Sequence, residues 1–115
     1  MFAFALGAVY LAIGVAGFFV TGFDNFVANG DEALLIFEVN PFHNVVHISV
    51  GAIALGAALL LRDRAAVEGT NLGIGAVYLL AAALGVAGAL QDLLSIDGPW
   101  VADNFLHLGT GLVSL

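Results

Sequence analysis

The sequence predicts an all-α integral membrane protein, a four-helix bundle built from two tandem helical hairpins related by a pseudo-twofold axis along the membrane normal. Three observations predict it. Hydrophobic residues make up 62% of the chain and charged ones 10%, against about 25% charged in a soluble domain. Apolar stretches without charge recur at lengths near the roughly 20 residues that a helical span needs. The chain also repeats itself. Gly7-Ala8-Val9-Tyr10-Leu11 returns as Gly75-Ala76-Val77-Tyr78-Leu79, and Gly14-Val15-Ala16-Gly17 as Gly85-Val86-Ala87-Gly88. The whole is one domain, with repeat one at about 1–62 and repeat two at about 63–115.

The first helix is expected at 2–22, inside a stretch with no charged side chain, and its phenylalanines (Phe2, Phe4, Phe18, Phe19, Phe23) face lipid or fill the core. An acidic connection carrying Asp24, Asp31, Glu32 and Glu38 follows. The second helix is expected at 42–61, where Asn40 suits an N-cap and Pro41 the first helical position. A short connection holds Arg62 and Arg64, the only basic residues besides histidine. The third helix is expected at 70–91 and is closed by an acidic connection with Asp92 and Asp97. The fourth is expected at 100–115, with Gly98-Pro99 at its start. Leu34-Leu35-Ile36-Phe37-Glu38 parallels Leu93-Leu94-Ser95-Ile96-Asp97. Phe42 and Trp100 sit at matching helix starts, as interfacial aromatic anchors do.

Small residues at four-residue spacing (Ala8, Ala12, Ala16; Ala52, Gly56; Ala81, Gly85, Ala89) are expected to let helices approach, with Gly51, Gly56, Gly85 and Gly111 as packing glycines. The positive-inside rule puts the loop at Arg62 and Arg64, and both termini, in the cytoplasm. The acidic loops then lie outside, in a multi-pass cell-membrane protein. No signal peptide is expected, because the first segment lacks a basic region and a cleavage site.

The chemistry concentrates in one duplicated motif. Pro41-Phe42-His43-Asn44-Val45-Val46-His47 returns as Ala102-Asp103-Asn104-Phe105-Leu106-His107. His43 and His47 are four apart, as are Asp103 and His107, so each pair shares a helical face. Ionisable and amide side chains are costly at the start of an apolar helix, so two copies mark a built centre. Three uses fit. In the first, His43, Asn44, His47, Asp103, Asn104 and His107 form a polar cluster bonding helices two and four, with no cofactor, in a structural or accessory subunit. In the second, His43, His47, Asp103 and His107 bind Zn²⁺ or a similar ion, or His47 and His107 clamp a haem b. The third is a small-molecule or proton transporter. Against that, polar residues are expected to stop below the motif, where only Tyr10, Tyr78 and Ser49 could continue a path.

Several classes are excluded or disfavoured. Zero cysteines rule out disulfides, thiolate metal sites and cysteine nucleophiles. The net charge of −7 offers no basic surface for nucleic acid. No nucleophile stands with a base, and no glycine loop suits a phosphate, so an enzyme is not expected. The expected partners are the lipid bilayer and other membrane subunits, or a second copy.

The motif pair resembles a family of small prokaryotic four-helix membrane proteins catalogued as a domain of unknown function. Its pattern, Asn-Pro-x-His-Asn-x-x-His-x-x-x-Gly followed by a degenerate Asp-Asn-x-x-His copy, corresponds here to Asn40 through His47 with Gly51, and Asp103 through His107 with Gly111. The likeness covers the whole chain. It implies the fold and a shared polar centre, and no mechanism.

Overall fold

A computed structural model describes residues 1–115. Four long helices and one short one account for most of the chain: α1 (Phe2–Thr21), α2 (Pro41–Leu60), α3 (Arg64–Val86), α4 (Gln91–Leu94) and α5 (Ala102–Ser114). A two-stranded antiparallel hairpin, β1 (Ala33–Leu34) and β2 (Phe37–Glu38), sits between α1 and α2. The first three long helices have 20, 20 and 23 residues with mean hydropathy 2.2, 1.6 and 1.6, enough to cross a bilayer. Their outward faces carry Phe4, Val9, Phe19, Ile53, Leu59, Val77 and Leu80, all exposed, which implies contact with lipid. At 13 residues, α5 rises only about 20 Å.

The start of α2 follows local chemistry. The Asn40 carboxamide accepts the His43 N–H at 2.8 Å, Pro41 occupies the first turn, and the Asn40 amide donates to Ala28 O (2.9 Å) and Leu93 O (3.0 Å). One residue therefore caps the helix and ties the segment after α1 and the short helix α4 to it. Asn40→Ala is expected to cost at least the 0.5–2 kcal/mol typical of a lost cap, read as a lowered melting temperature in detergent.

Elsewhere the helix ends differ from the sequence expectation. α3 begins at Arg64 rather than 70, because the Asp63 carboxylate caps Ala65 N–H at 3.1 Å and Arg64 pairs with Glu68 one turn on. Charges there continue the helix beyond its apolar part instead of ending it. It stops at Val86, short of 91, where Gly88 adopts a left-handed φ of +74°. Pro99 does not open the fourth long helix. Gly98 turns at φ +103°, and α5 starts at Ala102 without a side-chain cap on its N-cap residue. The matched segments around Ile36 and Ser95 fold differently, one as the β-hairpin and the other as the end of α4. They are joined instead: Asp97 N–H donates to the Glu38 carboxylate (2.9 Å), and Ser95 Oγ accepts from Gly30 N–H (3.1 Å) and donates to Gly30 O (3.2 Å).

Packing does not follow the expected four-residue stripes. Ala8, Ala12, Ala52 and Ala89 are exposed, and a Cβ at Gly56 would meet open space. The buried positions alternate three and four apart instead: Gly7, Tyr10, Gly14, Gly17 on α1; Asn44, His47, Gly51, Ala54 on α2; Gly75, Tyr78, Ala82, Gly85 on α3; Asn104, His107, Gly111, Ser114 on α5. Such alternating three-and-four spacing keeps one face of each helix on its neighbour, whereas a strict period of four would drift off the contact. α1 packs along α2 and α3 along α5. Cβ atoms at Gly7 and Gly51 would strike the partner's backbone, and at Gly17 and Gly85 they would overlap the carboxamides of Asn44 and Asn104. The offset that relates Gly7 to Gly75 and Tyr10 to Tyr78 thus also relates Gly17 to Gly85. Gly88, which the sequence matches to Gly17, lies past the end of α3.

Candidate metal centre

The seams of α2 and α5 bring the duplicated motif together. His43, His47 and His107 are 0%, 1% and 2% exposed, and one ring nitrogen from each lies within 4.8 Å of the other two. The ring centroids are 4.4 Å apart for His43–His47, 5.7 Å for His43–His107 and 6.4 Å for His47–His107. A tetrahedral ion with metal–nitrogen bonds of about 2.0–2.1 Å needs ligand nitrogens roughly 3.3 Å apart. Small rotations about the imidazole χ angles bridge that difference.

The hydrogen bonds divide the motif into two jobs. Asn44 donates to Thr21 Oγ1 at 2.9 Å, and Asn104 donates to Gly98 O (2.9 Å) and Pro99 O (3.3 Å). Each carboxamide pins the turn at a helix end rather than bonding a histidine. Of the three imidazoles, His43 is held by the backbone. His43 Nδ1 lies 3.1 Å from Glu38 O; a carbonyl only accepts, so Nδ1 carries the proton and Nε2 keeps its lone pair. That Nε2, both nitrogens of His47 and His107 Nδ1 are buried with no protein partner.

Asp103 stands apart from the three mutually close nitrogens. It is fully buried, and its Oδ2 accepts the Glu38 N–H at 2.8 Å, which holds it one turn from His107 on the same face of α5. Its Oδ1 has no protein partner. The predicted set of three histidines and an aspartate thus resolves into a histidine trio with an adjacent carboxylate. A porphyrin does not fit between His47 and His107 as they are packed, because the rings touch His43, Tyr10 and Tyr78 at centroid distances of 4.4–5.7 Å.

Beneath the trio lie the two tyrosines that the sequence reading placed on a possible path, joined by two buried hydroxyl residues that it passed over, Thr110 and Ser114. Tyr10 packs edge-on to His47 and Tyr78 tilts over His107, each at 5.2 Å, and the two tyrosines are 5.0 Å apart. Tyr10 Oη and Thr110 Oγ1 share a hydrogen bond of 2.5 Å. Thr110 and Ser114 were legible in principle, since they fall three and seven residues after His107 on the same face of α5.

A family model described as a domain of unknown function, DUF4383, matches residues 1–115. The chain belongs to the DUF4383 family. No curated protein and no solved structure matches this DUF4383 chain. The family description carries no activity; what the DUF4383 chain shows is a buried cluster of His43, His47 and His107.

Proposed function

We propose that this multi-pass membrane protein binds one divalent first-row transition ion, Zn²⁺ or a close relative, on His43, His47 and His107. The observation that carries the reading is the convergence of three buried imidazoles whose inward nitrogens have no protein partner. Each buried polar atom left unpaired costs about 1–3 kcal/mol, so the trio destabilises the metal-free bundle. An ion reverses that sign. A purely structural cluster would place histidine–asparagine bonds across the helices, whereas both asparagines bond elsewhere. His43 donating from Nδ1 to a carbonyl is the arrangement that orients a metal-binding imidazole and raises its basicity.

The neutral trio and a dication need a counter-charge in a low-dielectric core, and buried Asp103 supplies one. Nitrogen-only ligation without cysteine suits zinc, copper(II) or nickel rather than calcium or magnesium. The protein is read as a binder rather than an enzyme, because the trio is buried and packed directly against Tyr10 and Tyr78. The finer architecture belongs to the same reading: two hairpin repeats about a pseudo-twofold axis, with the Gly17–Asn44 and Gly85–Asn104 contacts as equivalents. With Arg62 and Arg64 in the cytoplasm, the trio sits in the outer half of the bilayer.

Metal analysis of protein purified in detergent tests this directly. About one zinc per chain is expected after equilibration and desalting, held against a weak chelator. A chain that takes up no zinc, copper or nickel above buffer level would sink the reading.

A further inference from the structure

A line of buried polar atoms continues from the histidines toward the opposite end of the bundle. On α5, Asp103, His107, Thr110 and Ser114 form one buried stripe. Facing it on α3 are Tyr78 and, two turns further along the same face, Asn71. Asp103 Oδ1, Tyr78 Oη, Ser114 Oγ and Asn71 Oδ1 are all buried without a protein partner, although a serine in a helix usually turns back onto its own backbone. The acidic end of the line carries Asp103 beside Glu38 and Asp97. Its other end reaches a cavity of about 290 Å³ lined by Glu68, Asn71, Ser114 and Phe2.

The contrast with α2 argues against packing as the reason. Seen from the paired motif residues His47 and His107, Val50 and Ala54 on α2 occupy the places that Thr110 and Ser114 hold on α5. Both seams border the same Tyr10–Tyr78 layer, which α2 packs with apolar side chains. Hydroxyls on α5 therefore serve something other than volume. Ionisable groups facing a bundle interior, as His47, His107 and Asp103 do, mark ion pathways, and the hydroxyls continue the line that these begin.

We infer that this file is a passage for the divalent cation held at the histidine trio, so that the protein moves the ion across the bilayer; this rests on the metal-binding reading above. The Tyr10–Thr110 bond and the tyrosine pair close the file just beyond the trio, and passage requires that bond to open. The histidines are then the selective binding step, Asp103 the counter-charge on the acidic side, and the Thr110, Ser114 and Asn71 oxygens the relay to the far cavity.

The test uses the full chain in phosphatidylcholine vesicles, with zinc added outside and a zinc-responsive dye inside. Wild type is expected to fill faster than protein-free vesicles. The double variant Thr110→Val/Ser114→Ala gives α5 the apolar seam of α2 with little change in volume. It is expected to slow influx by about tenfold or more, the equivalent of 1.4 kcal/mol at the barrier, while still binding one zinc per chain with wild-type affinity. Three results would overturn the passage: zinc bound by wild type but no influx above empty vesicles, influx unchanged in the double variant, or proton movement without zinc. Failure of wild type to bind zinc at all would instead remove the metal-binding reading, and this inference with it.

Discussion

Gly51→Ala is expected to unfold or separate the α1–α2 hairpin, whereas Gly56→Ala, five residues along the same helix, is expected to stabilise the protein. Helix propensity alone favours alanine over glycine by about 0.8–1.0 kcal/mol at both positions. Surroundings decide the sign. A Cβ at Gly51 would strike Leu11 N and lie 2.9 Å from both Leu11 Cα and Gly7 O, all main-chain atoms that cannot rotate aside. At Gly56 nothing lies within 4 Å. Forcing extra volume into a packed contact costs typically about 1–3 kcal/mol, and more where backbone must move. Against a total stability of about 5–15 kcal/mol, Gly51→Ala should lower the melting temperature sharply in detergent, and Gly56→Ala should raise it slightly. Equal melting curves for the two variants would mean that the α1–α2 contact does not pass through Gly51.

His47→Leu should abolish tight zinc binding without weakening the metal-free protein. His47 contributes two unpartnered buried nitrogens, and its ring touches His43, His107 and Tyr10. Leucine removes those uncompensated polar atoms while keeping most of the volume, a change that is neutral or favourable where no bond is lost. Loss of a direct ligand should reduce affinity by more than about 100-fold, since mutating a group that merely orients a ligand already costs 10–100-fold. Zinc at a hundred times its dissociation constant should add about 2.7 kcal/mol of stability to wild type and nothing to the variant. If the trio were only a structural cluster, the pattern would invert: His47→Leu would melt early and zinc would shift neither protein.

How far the sequence could be read depended on how local each determinant is. The start of α2 was legible because Asn40, Pro41 and His43 settle it within one turn. The beginning of α3 was not, because charged residues look like a loop although Asp63 caps them into the helix. The hairpin at 33–38 was beyond reach. Its last residue is held by Asp103 and Asp97, both distant in the chain, and Leu35 adopts a left-handed φ of 61° that its residue type disfavours. Small residues were correctly seen as places of close approach, but their spacing misled. Alanines four apart lie on exposed faces, and the contact follows the alternating three-and-four seam.

Composition and motif spacing alone determined that the chain is a membrane-embedded helical protein with histidines, asparagines and an aspartate at matching helix starts, because hydropathy and helical periodicity are local properties. Only the tertiary structure decided which of those groups meet. It turned Asn44 to the end of α1 and Asn104 to the turn before α5, drew three imidazoles together, left Asp103 alongside, and aligned Thr110 and Ser114 beneath them. The reason is that a side chain's partner depends on how the α1–α2 and α3–α5 pairs come together and on the glycines that set how closely each pair packs. That geometry arises between segments far apart in the chain, where no pattern within either segment can encode it.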